Sequence, residues 1–420
     1  AFILAGGLIL HGCNGIFDDL AINPNQPSMG AYFTSPSAVN DAVMTMYGYM
    51  STQRCLGASG SKTTIIRSDE ASSNSDYGKP GMFGADLNAS YYTIEQPYTL
   101  MYTTASQASY IIETAPSVDF SGNEELRNAY MGEAYFWRAF AHYYLLINFR
   151  NISPIRQMPR NGDDYVRPLE KPAAVWDFIQ EDLAHAKELL PVKGYWDSKN
   201  AGRVTKASAA ALLGKAYLYR SGIEQYYGED KTTFYSEAAK EFGDVIDGKY
   251  GTYDLTKNYA DNFDVAHENN EESILEFQFL GDVDNAGFNP GLATSGLAFD
   301  SRGLMLPGAG VGYEGVVHNW LYNAFVNSVD KDGYTDIRMF STMIFNDLDA
   351  SIHLRNDAGG NPVRLEGPGG YKWEELYPAK NGKEGFATVS NPLAHSFKAG
   401  IRKGIDCSMP TQTEADGTPK

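Results

Sequence analysis

The sequence predicts a mainly α-helical protein, built of helix pairs packed against an irregular, loop-rich lobe with a few short strands. Three observations predict it. Between residues 37 and 247, segment after segment places apolar side chains at helical spacing. Within that region the stretch 121–149 is apolar on two faces. Leu126, Tyr130, Ala134, Trp137, Ala141 and Leu145 make one face, and Phe136, Phe140 and Tyr144 make another. A helix apolar on two faces is buried between neighbours, which puts this one at the centre of a stack. Finally, from Lys249 onward the texture changes to Gly-rich loops carrying aromatics.

Each element follows in chain order. Residues 1–10 form an apolar run too short to span a membrane and the right size for a signal-peptide core. Leu10-His11-Gly12-Cys13 then reads as a lipobox with Cys13 as the lipidated residue, and 14–30 as a tether. Residues 37–50 predict a helix with Val39, Val43, Met46 and Met50 on one side. A long excursion, 57–92, separates it from a helix at 97–114 with Tyr98, Met101, Tyr102, Ala105, Ala108, Ser109 and Ile112 as its stripe. The central helix opens on Ser121 and Glu124, the spacing of a capping box. Helices are expected at 173–190, from Thr205 to Arg220, and at 233–247, the last with Tyr235, Ala238, Phe242, Val245 and Ile246 at helical spacing. Bulky aromatics alternate with small residues across these pairs in a tetratricopeptide-like manner. Two pairs are fewer than a stable solenoid needs, so the first helices must help complete it. Further on, 273–279 reads as a strand, 281–315 as a second long excursion, and 320–329 as a helix. The remainder, 354–403, is loop-rich, and 411–420 is polar chain.

Several of these segments carry motifs in a specific order. Gly132-Glu133-Ala134 is followed by Arg138-Ala139; Ile179-Gln180-Glu181-Asp182-Leu183 by Ala186 and Leu189-Leu190-Pro191. Then come Gly202-Arg203-Val204-Thr205-Lys206-Ala207-Ser208-Ala209-Ala210 and Asn270-Glu271-Glu272-Ser273-Ile274. This set resembles the SusD/RagB family of outer-membrane glycan-binding lipoproteins of Bacteroidetes. Asp18-Asp19-Leu20 with Asn23-Pro24, Ser68-Asp69-Glu70 and Asp336-Ile337-Arg338 are similar to further segments of that family. The resemblance implies a SusD-like fold, with 1–13 a signal-peptide remnant, 14–30 a tether, 31–248 the helical part and 249–420 the irregular lobe. It also implies that the family's final strand and helix are missing here. Its functional implication is a cell-surface lipoprotein that captures glycan and passes it to a SusC-like TonB-dependent outer-membrane transporter.

Chemistry read from the residues agrees with a binding role. The formal charge is −18, from 34 basic and 52 acidic side chains, without a basic run. That argues against nucleic acid as a partner and favours neutral ligands. Cys13, Cys55 and Cys407 give neither a disulfide framework nor zinc spacing, and Cys55 and Cys407 read as buried free thiols. The acidic pairs, Glu181-Asp182 among them, read as solvated helix faces. His142, among aromatics, reads as a core histidine. Glu133 and Arg138 read as ion-paired cement between helices. No nucleophile elbow, phosphate loop or metal-ligand spacing is present in the sequence, so no catalytic residue, cofactor or metal is assigned. Gly308 to Gly312 lacks the strand and helix that a nucleotide turn needs.

What remains is aromatic: 28 Tyr, 21 Phe and 5 Trp. Sugar rings present apolar C–H faces that stack on flat side chains, while polar neighbours bond the hydroxyls. Aromatics in the long loops are therefore the glycan-binding candidates: Tyr77, Phe83, Tyr91, Trp196, Phe288 and Tyr313. Trp137, Trp176 and Trp320 fall at helical positions and read as core. Two other functions stay open: a lipid-anchored glycoside hydrolase, which needs two carboxylates across one bond, and a tetratricopeptide-like scaffold serving import of a peptide or other nutrient.

Overall fold

A computed structural model describes residues 33–52, 54–57, 68–72, 89–158, 166–228, 230–263, 267–278, 316–336, 338–345, 353 and 399–401. Six helices form the stack: α1 Pro36–Met50, α2 Tyr92–Thr114, α3 Glu124–Phe149, α4 Pro172–Leu189, α5 Lys206–Tyr227 and α6 Tyr235–Ile246. Each packs on the next in chain order, and α3 also touches α1 and α5. Side-chain contacts fix the directions. Gly132 faces Leu190, Arg138 bonds Asp182, and Tyr143 meets Trp176, so α3 and α4 run antiparallel. Trp176 to Glu224 and Asp177 to Arg220 make α4 and α5 antiparallel too. With α1 and α2 included, three helix pairs build the stack that two alone would not sustain.

Local chemistry accounts for the ends. The Ser35 side chain accepts from the N–H of Ala38 at 3.3 Å, and Pro36 opens α1. Its predicted stripe is fully buried. Helix α2 begins five residues before the expected start, with Pro97 inside it. The proline's ring opposes the carbonyl four residues back, which here belongs to the first turn, where interruption costs least. Met101, Ala105, Ala108 and Ser109 are buried as expected; Tyr98 is exposed, and Ile111 rather than Ile112 lies fully inside. The capping box expected for α3 is replaced. Ser121 and Gly122 take left-handed conformations, φ 53° and 81°, and Asn123 caps the helix by accepting from Leu126 N–H at 3.1 Å. Glu124 instead bonds Arg127. Helix α5 is capped by Thr205, whose N–H donates to Ser208 Oγ at 3.1 Å, and runs past Arg220 to Tyr227, where Gly228 ends it in a left-handed conformation at φ 70°. On α6, Tyr235 and Ile246 are exposed, because this helix lies at the edge of the stack and buries only Ala238, Glu241 and Val245.

The second region is sparser. Helix α7 Asn319–Asn327 and the short α8 Arg338–Thr342 share a small core of Val317, Tyr322 and Met339. Strands β1 Ala71–Ser72, β2 Val316–Val317, β3 Met343–Phe345 and β4 Ala399–Ile401 form one antiparallel sheet in the order β1-β2-β4-β3. Two expectations need correction. The run 273–278 is not a strand: it bends at Ile274 and Leu275 and, among the described residues, pairs with no strand. Its bulky side chains serve packing instead: Ile274, Leu275 and Phe277 lie on the helical core, and Ile274 O accepts from Ser208 Oγ at 3.0 Å. Trp320 is not core but 47% exposed, with its indole N–H donated to Asp69 O across the lobe. An indole needs a polar partner, and so short a helix buries only Tyr322. Trp137 and Trp176 are fully buried, as is Cys55, which is free; Cys13 and Cys407 lie outside the described residues.

Candidate functional site

Of the six glycan-binding candidates, Tyr91 and Trp196 are described; Tyr77, Phe83, Phe288 and Tyr313, like Cys13, lie outside the described residues. Trp196 stands in the connection from α4 to α5. Its indole N–H donates to Val204 O at 3.2 Å, and the Arg203 guanidinium lies 4.2 Å from its ring centre. Tyr195 meets it edge-on at 4.9 Å. One face of the Trp196 ring is therefore occupied by protein, and the side chain remains half-buried. Tyr91 precedes the first turn of α2, where its carbonyl accepts from Ile94 and Glu95 N–H. The structure does not bring the two together. Trp196 sits by the start of α3, near Tyr130, whereas α2 begins beside the end of α3, where Tyr98 packs on Phe149. The 26 residues of α3 span roughly 39 Å at 1.5 Å per residue.

Behind Trp196 is a network built from the motif residues. Arg203 donates to both Glu133 oxygens, through Nε at 2.9 Å and Nη2 at 2.5 Å, and Nη1 donates to Asn40 at 2.7 Å and Asn200 at 3.1 Å. Tyr47 OH donates to Glu133 at 2.9 Å and accepts from Val204 N–H at 2.8 Å. Burial pushes the Glu133 carboxyl up, opposed by the Arg203 bonds, and pushes the Tyr47 phenol well above its ordinary range.

A second network holds the middle of α3. Arg138 clasps Asp182 with two bonds of 2.7 Å and also reaches Ser109 Oγ and Arg156 O. Asp182 is thus buried, not solvated as its sequence pair with Glu181 suggested. Adjacent helix residues point about 100° apart, so one can face inward while the other faces water. His142 Nε2 accepts from Ile155 N–H at 2.9 Å, which makes the proton on Nδ1 the one shared with Arg138 O at 2.8 Å. Burial holds its imidazolium down to about 3.

These contacts decide what the helical carboxylates can do. Glu133, Asp182 and Glu224 are buried, and each is engaged by an arginine, so none faces a bond to be cleaved. Among the described residues, no group of three or more His, Cys, Asp or Glu is placed to hold a metal ion. Among them, too, no helix is long and apolar enough to cross a membrane.

Sequence reasoning missed one exposed cluster, Leu218, Tyr219, Tyr226 and Tyr227 on α5. The expected helix end at Arg220 assigned the last two to a loop. The terminating glycine, Gly228, was the available signal.

Residues 21–218 match a family model described as SusD-like, "Starch-binding associating with outer membrane". A "SusD-like protein" of Bacteroides ovatus is 26% identical over 282 residues, covering 66% of this chain and 49% of that protein. The chain spans about half the length of the curated relatives it matches. A solved "Laminarin binding SusD-like protein" superposes with a TM-score of 0.62 at 20% identity, covering 89% of this chain and 73% of the other. A structure solved with xylogluco-oligosaccharide gives 0.57 at 19% identity, covering 90% and 66%. By its ordered motifs, its matched helical region and its architecture, the chain is similar to the SusD/RagB family.

Proposed function

We propose that this protein is a surface glycan-binding lipoprotein that captures oligosaccharide or polysaccharide without cleaving it. The observation that carries the reading is the match of the central helical region to the starch-binding, outer-membrane-associated family. Two structural neighbours whose names include laminarin and xylogluco-oligosaccharide support carbohydrate as the ligand class. The geometry is compatible: a helical stack tied by buried ion pairs holds Trp196 half-buried in the connection from α4 to α5. In this reading Cys13 carries the lipid anchor, 14–30 is the tether, and 31–248 and 249–420 divide the helical part from the irregular lobe. Loop aromatics Tyr77, Phe83, Tyr91, Trp196, Phe288 and Tyr313 supply stacking surfaces. A SusC-like TonB-dependent transporter receives the ligand.

Calorimetric titration tests it. Starch, laminarin and xyloglucan and their oligosaccharides are added to the protein begun at Asn14, with reducing ends assayed in the same mixtures. Heat without new reducing ends is the expected result. New reducing ends overturn the receptor in favour of a hydrolase, and absence of heat with every glycan overturns it in favour of a protein-binding scaffold.

A further inference from the structure

The last three turns of α5 carry a groove of 430 Å³ lined by Leu218, Tyr219, Gly222, Ile223, Tyr226 and Tyr227. It is an open depression on the helix surface, shaped to receive a ligand from one side. Two of its rings are well exposed, Tyr226 at 84% and Tyr227 at 55%. They stand 5.2 Å apart at 87°, so a flat ligand laid on one ring meets the other edge-on. Gly222 leaves the floor open, since a Cβ there would meet no atom within 4 Å.

The corner is held from the core. The Arg150 guanidinium lies 4.2 Å from the Tyr227 ring centre. Arg150 is itself fixed by two bonds to Glu224, at 2.6 and 2.9 Å, and Glu224 is fully buried and also accepts from the Trp176 indole at 2.8 Å. A ring pinned this way loses little freedom when a ligand stacks on it.

We propose that this corner is a second saccharide-binding site, separate from the loop aromatics and built to stack one short stretch of a sugar chain. Ring faces meet the sugar's C–H faces, and the phenol hydroxyls of Tyr219, Tyr226 and Tyr227 bond its hydroxyls. A protein partner fits less well. Six residues on one helix face offer far less than the roughly 800 Å² per side of a stable protein interface. The sugar class rests on the glycan-binding reading above; the position of the site does not.

The test titrates the chain begun at Asn14, and its Gly222→Leu, Tyr226→Ala and Trp196→Ala variants, with malto-, laminari- and xylogluco-oligosaccharides. Gly222→Leu fills the groove while replacing a helix-interior glycine by a better helix former, so lost binding there is not lost folding. Expected is the loss of one binding equivalent, or about tenfold weaker binding, in Gly222→Leu and Tyr226→Ala. Trp196→Ala leaves that equivalent in place. Unchanged binding in both groove variants, where the parent chain binds, overturns the second site and leaves the receptor reading standing. No heat from the parent chain with any of the three sugars overturns both.

Discussion

Arg138 is a charge kept at the centre of an α-helical stack, and its four hydrogen bonds explain how it stays there. Taking a guanidinium and a carboxylate out of water is costly, and the pair survives because it is bidentate and the guanidinium also reaches Ser109 and the Arg156 carbonyl. Removing one member leaves the other stranded. Asp182→Ala is expected to cost about 3–5 kcal/mol in urea unfolding, and Arg138→Met with Asp182→Leu distinctly less, since no charge is then buried. His142 adds a pH dependence with a defined sign. Its imidazole is held neutral down to about 3, against an ordinary value of 6.5, by burial and by the nearby positive charge of Arg138, Arg156 and Arg167. Below 6.5 the unfolded chain takes up a proton that the folded chain refuses until about 3. Stability from this residue is therefore present above 6.5 and lost as the pH falls toward 3, by up to about 1.4 kcal/mol per pH unit. His142→Gln keeps one donor and one acceptor but does not titrate. Urea unfolding between about pH 7 and pH 4 should give a smaller decline for that variant than for the parent chain.

At the scale of elements, helices were legible where one face repeats at helical spacing, and α1 follows its predicted stripe closely. Ends were less legible, since several residues compete to cap or break. Ser121 lost the cap of α3 to Asn123 because Ser121 and Gly122 were needed in left-handed conformations for the turn. The 273–278 segment shows the opposite failure: its bulky side chains read as a strand, but they pack on the helices instead. Gly202 is what lets this segment lie down. It has φ 80°, and a Cβ there would run into Glu276 O and the Gln278 side chain. Gly202→Ala should combine backbone strain with overpacking and destabilise the protein by about 2–4 kcal/mol. Hydrogen exchange should show the loss first at 273–278, while the amides of α3 stay protected.

For the whole molecule, the mainly helical class and the family were readable because the motif residues are the ones that tie helices together. Glu133, Arg138 and Asp182 hold the stack, and Arg203 joins the start of α5 to it. The lobe was not readable to the same depth. Its sheet pairs residue 71 with residue 317, and 316 with 400, and no local spacing announces such distant partners. The candidate site shares that difficulty. An aromatic in a loop can stack on ligand or on protein, and for Trp196 one face is already taken by Arg203.

The buried pairs bear on how the stack comes apart. Arrays of helical repeats commonly melt piecemeal, because each repeat touches only its neighbours. Here Glu224 joins α5 to Trp176 of α4 and to Arg150 at the end of α3, while Glu133 of α3 holds Tyr47 of α1 and Arg203 ahead of α5. Peeling away α3, α4 or α5 separates a buried ion from its counter-ion, so half-melted species are heavily penalised. Scanning calorimetry should accordingly find one heat-absorption peak for the helical stack, with calorimetric and van't Hoff enthalpies in agreement. Glu224→Gln, which withdraws the anion that three helices share, should broaden that peak or divide it.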